Sequence, residues 1–181
     1  MNVLDAIRTR RSVRRYKSDP LGPDVLAAMR QALRLAPSAG NNQPWHFVLV
    51  TRQDLRRRLA REAARSEWIG DAPVLVVACG LPERAYQHMG GSGNSVDVDV
   101  AIALDHLTLA AVEAGLGTCW IGAFDEAAVK RLLGVPTGVR VIALTPLGTP
   151  AGPELNHPVD ESRRKPEGEI FSQNTYAGPA G

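Results

Sequence analysis

Hydrophobic positions along this chain switch between helical and extended spacing. A short amphipathic segment at about residues 2–9 carries Leu4 and Ile7. Behind Pro23, the positions Val25, Leu26, Met29 and Leu33 recur at helical spacing and predict a helix to about Leu35. Trp45 to Thr51 reads as a strand. Residues 52–66 read as an arginine-rich helix with Leu55 and Leu59 inward and its charges on a solvated face. Pro73 to Cys79 is a continuous apolar run, the pattern of a strand buried on both faces. A long helix is expected from Asp97 to Ala114. Between Val100 and Val112 it is apolar on nearly every face, so it must be covered all round, and in a domain this small a partner subunit could provide some of that cover. Gly117 to Ile121 then reads as a short strand, Glu126 to Leu133 as a helix, and Val139 to Leu147 as a strand.

Breaker-rich stretches separate these elements. Pro37-Ser38-Ala39-Gly40-Asn41-Asn42-Gln43-Pro44 is a loop. Residues 81–95 form another, with a glycine cluster at Gly90, Gly91 and Gly93 that suggests a mobile lid. It lacks the Gly-Lys-Ser/Thr ending of a phosphate-cradling nucleotide loop. Pro146, Pro150, Pro153 and Pro158 mark an irregular segment, and residues 166–181 read as an extended arm. There is no internal repeat. At 181 residues the chain is one domain, 1–181. Strand and helix signals alternate irregularly, and no Gly-x-Gly-x-x-Gly follows a first strand. A dinucleotide-binding Rossmann domain is therefore disfavoured, leaving a single sheet flanked by helices.

Charge adds one distinction. The net charge of +2 argues against nucleic acid, but six basic residues and one acid crowd residues 1–17, and Arg163, Arg164 and Lys165 form a second cluster. Two clusters far apart in sequence suit one shared anion. In extended backbone, Arg10, Ser12 and Arg14 point the same way, presenting two guanidiniums and a hydroxyl to that anion. Cys79 and Cys119 read as reduced core thiols. No signal peptide is visible and no run is long enough to span a membrane, so the expected location is cytoplasmic.

Conventional catalytic sets are missing. His46, His88, His106 and His157 share no metal-ligand spacing, and His46 and His106 read as packed or hydrogen-bonded residues. Asp97, Asp99 and Asp105 read as charge complementing a helix N-terminus. Anion-seeking groups without an acid, base or nucleophile set point to chemistry left to a cofactor.

Three segments in order, Arg10-Arg11-Ser12-Val13-Arg14, the Pro37-to-Trp45 loop and Gly115-Leu116-Gly117-Thr118-Cys119-Trp120-Ile121-Gly122, resemble the FMN-dependent nitroreductase family. Arg164-Lys165-Pro166 with Glu169-Ile170 resembles its C-terminal phosphate clamp. The resemblance runs from about Val3 to Tyr176. It implies an α+β fold with a central mixed or antiparallel sheet flanked by helices, in an intertwined homodimer with FMN at the interface. By the same likeness Arg10, Ser12 and Arg164, joined by Lys165, would hold the FMN phosphate, Arg11 and Val13 would count among the other cofactor-binding residues, and Arg14 would lie near the flavin pyrimidine. Pro37, Ser38, Ala39, Asn41 and Gln43 would close over the cofactor from the other subunit. Ile121 and Gly122 would pass its central ring, with the Gly122 N–H near N5. An amide or basic residue before the second strand often meets the pyrimidine in this family; Arg65 and Trp68 are the candidates.

The implied activity is ping-pong hydride transfer from NADH or NADPH to a nitroaromatic, quinone or similar acceptor, with no catalytic side chain and no metal. Three alternatives stay open: the flavin-cleaving branch that makes dimethylbenzimidazole, the dehalogenating branch, and a flavin-binding protein without enzyme activity. For dehalogenation, a short arginine-rich helix stands where the iodotyrosine deiodinases carry a long acidic lid.

Overall fold

The computed structural model describes residues 1–91, 93–152 and 159–178. Four strands form one antiparallel sheet in the order β1-β2-β4-β3, with β1 Trp45–Val50, β2 Val74–Gly80, β3 Gly117–Thr118 and β4 Arg140–Gly148. Helices α1 Val3–Thr9, α2 Pro23–Arg34, α3 Gln53–Arg58, α4 Val96–Glu113, α5 Glu126–Leu133 and the single turn α6 Glu167–Ile170 complete the chain. The strand pairings of the sheet are antiparallel, and Ser12 forms an isolated parallel bridge to Thr118 from outside the named strands.

Strand β2 explains the layering. Its alternate side chains Val74, Val76 and Ala78 face Met29 and Leu33 of α2 and Val100, Ala103, Leu104 and Leu107 of α4. Leu75, Val77 and Cys79 face Leu59, Ala60 and Ala63 beyond α3, and Ala128 and Val129 of α5. Every residue of β2 is buried, as its unbroken apolar run requires. Burial also pushes the Cys79 thiol up to about 11, so it is packing material and not a nucleophile.

Several sequence expectations need correction. The helix over 52–66 is α3 followed by a π-turn at Leu59–Ala63, where Ala64 N–H reaches back to the Leu59 carbonyl. Its arginines are not all solvated, because Arg56 is buried. Pro146 does not begin an irregular segment; it lies inside β4, opposite Leu75. The expected strand Gly117–Ile121 stops at Thr118 and touches β4 again only at the bridge Ile121 to Leu144. That register puts Cys119 opposite Pro146, which has no N–H to offer, so the ladder breaks there. His46 and His106 are exposed and not packed. The arm contains α6 and is exposed along nearly all its described length; Pro153, His157, Pro158 and residues 179–181 lie outside the described residues.

Helix α5 ties itself to β4 through Glu126, which accepts from Val141 N–H at 3.0 Å and pairs with Lys130 at 2.9 Å. These contacts hold its carboxyl below its ordinary value. A depressed carboxylate contributes stability that is fully present above its unfolded value and is lost as pH falls through the folded one. Glu126 is 42% exposed, so the effect is no more than about 1 kcal/mol. Urea midpoints of the wild-type chain and Glu126→Gln should differ at pH 7 and converge below about pH 4.

Candidate functional site

Helix α1 ends at Arg10, whose N–H still reaches the Ala6 carbonyl at 2.8 Å while its backbone turns extended. The extended segment then docks against β3. Val13 N–H donates to the Thr118 carbonyl at 2.9 Å, and Lys17 N–H donates to the Thr149 carbonyl at 2.8 Å. Val13 and Tyr16 anchor it by packing on Ala72 and Trp68. Val13 is fully inward, whereas its neighbours Arg14 and Ser12 are exposed and half-buried.

Gly117 makes this docking possible. A Cβ there would lie 2.5 Å from Val13 Cγ2, a separation no packed pair tolerates. A Cβ at Gly122, by contrast, would meet open space.

Three like charges converge at the head of this segment. Burial first, then the charges of Arg10 and Arg164, hold the Arg11 guanidinium below its ordinary value. Its Nη1 donates to the Arg10 carbonyl at 2.5 Å, while its buried Nη2 has no hydrogen-bond partner among the described residues. Clustered cations with an orphaned donor are unfavourable unless an anion lies among them. These residues therefore fit a phosphate group. Arg164 reaches this cluster from the far end of the chain. Lys165 is exposed and pairs at 3.9 Å with the exposed Glu169, a weak interaction.

The 37–43 loop is built separately. Gly40, Asn41 and Gln43 adopt left-handed backbone at φ 58, 55 and 48°, strain of the kind held at binding sites. Gln43 N–H donates to Ser38 Oγ at 2.9 Å, and Gln43 Nε2 donates to Asn41 Oδ1 at 3.1 Å. Ala39 N–H donates to Asp99 Oδ1 at 3.0 Å. Pro37, Asn41 and Gln43 are exposed. Among the described residues, no hydrogen bond joins this loop to residues 10–14.

Asp99 is thus not a solvated helix-dipole charge. It is 2% exposed and also accepts from Ser95 Oγ at 2.7 Å. Ser95 Oγ in turn accepts from Tyr86 N–H at 3.1 Å. One carboxylate therefore couples α4 to both the 37–43 and 81–95 loops. Its position three residues after Val96 and four before Ala103, on the buried stripe, was the available signal. Asp99→Ala should cost about 1–3 kcal/mol in urea unfolding and speed proteolysis within residues 38–43.

Ile121 gives both backbone groups to Leu144, donating at 2.9 Å and accepting at 3.1 Å, and Gly122 follows it exposed. Trp68 lies beneath the arginine segment, while Arg65, at φ 50°, lines a different cavity with Ala123, Phe124 and Asp125.

The chain is thus an α+β domain with an antiparallel sheet and an arginine cluster assembled from both chain ends. A sequence profile described as the Nitroreductase family matches residues 7–66 and 60–149, and the chain belongs to that family. A 5,6-dimethylbenzimidazole synthase of Rhodospirillum rubrum is 30% identical over 89% of this chain and 87% of its own. An FMN reductase [NAD(P)H] of Bacillus subtilis is 29% identical over 96% of this chain and 74% of its own. A nitroreductase family protein of Clostridium difficile 630 superposes with a TM-score of 0.87 at 25% identity, covering 97% of this chain and all of that one.

Proposed function

We propose that this chain is an FMN-dependent oxidoreductase that draws on NADH or NADPH and acts as a homodimer. The observation that carries the reading is the convergence of Arg10, Arg11 and Arg164 around an orphaned guanidinium nitrogen. Bound FMN would supply the redox chemistry, relaying a hydride from the nicotinamide to an electron-poor acceptor such as a nitroaromatic or quinone. Arg10, Arg11, Ser12 and Arg164 hold the phosphate by charge-assisted hydrogen bonds, with Lys165 able to join by leaving its weak pair with Glu169. Val13 fixes the backbone register of that cradle through Thr118. Arg14 would lie by the pyrimidine of bound flavin as a cation able to offset negative charge there. Gly122 offers its N–H because Ile121 has committed its own backbone groups to Leu144. No side chain acts as acid or base, and water provides protons.

The second subunit supplies what one chain leaves open. Val3, Leu4, Ile7, Leu35 and Val98 are 69, 61, 53, 68 and 43% exposed. A groove of about 360 Å³ between α1 and α4 is walled by Val3, Ala6, Leu109 and Ala110. Apolar surface of this kind belongs in an obligate interface. The partner's Pro37–Gln43 loop then closes over the cofactor.

The test is the absorbance spectrum and NAD(P)H oxidation of the purified protein. A yellow dimer with one flavin per chain, reducing a quinone faster than free FMN does, is expected. A colourless monomer unable to take up FMN defeats the reading, and a rate equal to that of free FMN reduces it to flavin binding. The resemblance to the Rhodospirillum synthase favours one second reading, flavin cleavage. Incubating the protein with reduced FMN and oxygen, then analysing for ring fragments, separates the two.

A further inference from the structure

A cavity of about 920 Å³ opens between the segment after Tyr16, the end of β1, the start of α3 and the start of β2. None of the residues assigned above to the cofactor lines it. Its lining combines the apolar side chains of Leu21, Leu26 and Val74 with Arg56.

Arg56 defines what the cavity can hold. It is 6% exposed, unusual for an arginine without a carboxylate partner. Its Nη1 donates to the Thr51 carbonyl, and its buried Nε has no partner among the described residues. The two acids on the cavity wall, Asp19 and Asp71, form no ion pair with it. The charge it feels is another cation, Arg57. A buried, uncompensated guanidinium is costly unless an anion completes it. With Nη1 committed to a backbone carbonyl, the edge bearing Nε and Nη2 remains, and its two parallel N–H bonds match the two oxygens of a carboxylate.

We propose that this cavity binds a small organic carboxylate, gripped side-on by Arg56 Nε and Nη2, with its hydrocarbon body on Leu21, Leu26 and Val74. One fork and a set of apolar side chains suit such a molecule better than inorganic phosphate, whose further oxygens need donors from several sides. The volume is ample for a drug-sized ligand.

Titration calorimetry and thermal melting of the FMN-supplemented protein at constant ionic strength test this. The probes are cyclohexanecarboxylate, its neutral amide and inorganic phosphate. The carboxylate should bind and raise the melting temperature, with the amide and phosphate each at least about tenfold weaker. Arg56→Met should lower carboxylate affinity at least about tenfold while leaving the ligand-free melting temperature unchanged or higher, since an unpaired buried charge is gone. Equal carboxylate affinity in that variant overturns the site, as does equal affinity of the wild-type chain for acid and amide. If the variant does not fold, the acid-to-amide comparison decides alone. Neither comparison requires that flavin bind, so failure here is distinguishable from failure of the redox assignment.

Discussion

A variant carrying both Arg10→Ala and Arg164→Ala should emerge from purification without flavin and should regain it only at greatly raised FMN concentrations. On the proposed assignment each arginine would supply charge-assisted hydrogen bonds to the FMN phosphate, worth about 1.5–3 kcal/mol apiece. Removing both should weaken FMN binding by roughly a hundred- to ten-thousandfold. The two positions lie at opposite ends of the chain, and the charge of each depresses the Arg11 guanidinium. Two controls sharpen the outcome. Arg163→Ala, at a neighbouring exposed position, should leave FMN affinity within about twofold. Raising salt should weaken wild-type binding more than that of the double variant, because screening acts on charges only one of them retains. Full retention of flavin by the double variant would remove the phosphate assignment.

The second large effect is expected at Gly117. Gly117→Val places branched carbon where the Val13 side chain already stands, 2.5 Å from a new Cβ. Either β3 or the arginine segment must move, and overpacking of this kind costs about 1–3 kcal/mol or more. Movement of the segment breaks the Val13–Thr118 hydrogen bond and dislodges Arg10, Arg11 and Ser12 together. Lower thermal stability should therefore accompany loss of flavin. A compensating Val13→Ala in the same chain should recover part of both, read by melting temperature and by flavin content. Gly122→Ala, where nothing stands within 4 Å, should leave stability unchanged.

Particular residues mark where the sequence was legible. The helical spacing of Val25, Leu26, Met29 and Leu33 located α2 nearly to the residue, because one face of that helix meets a sheet and the other meets water. The unbroken run in β2 announced a central strand, since only burial on both faces removes the polar alternation. The two basic clusters were readable too, but only as a shared need for an anion.

What was missed depended on tertiary partners. Three consecutive arginines, Arg56 to Arg58, resemble a solvated face when read along the chain. Only the sheet's position shows that Arg56 shares its side with Leu59, Ala60 and Ala63. Asp99 looked like one of several acids near a helix start until the Ala39 amide was seen against it. The early end of β3 required knowing that Pro146 faces it across the ladder, a pairing between residues distant in the chain. For the 37–43 loop, sequence indicated breaker residues but not the left-handed backbone at Gly40, Asn41 and Gln43.

The bridge between Ser12 and Thr118 has a consequence for biosynthesis. A ribosome releases the first half of this cradle long before the second exists, and Arg164 arrives later still. Contacts so distant along the chain close late in folding. A nascent polypeptide halted before Arg164 would therefore hold all four strands of its sheet yet lack one of the cations proposed to grip the nucleotide tail.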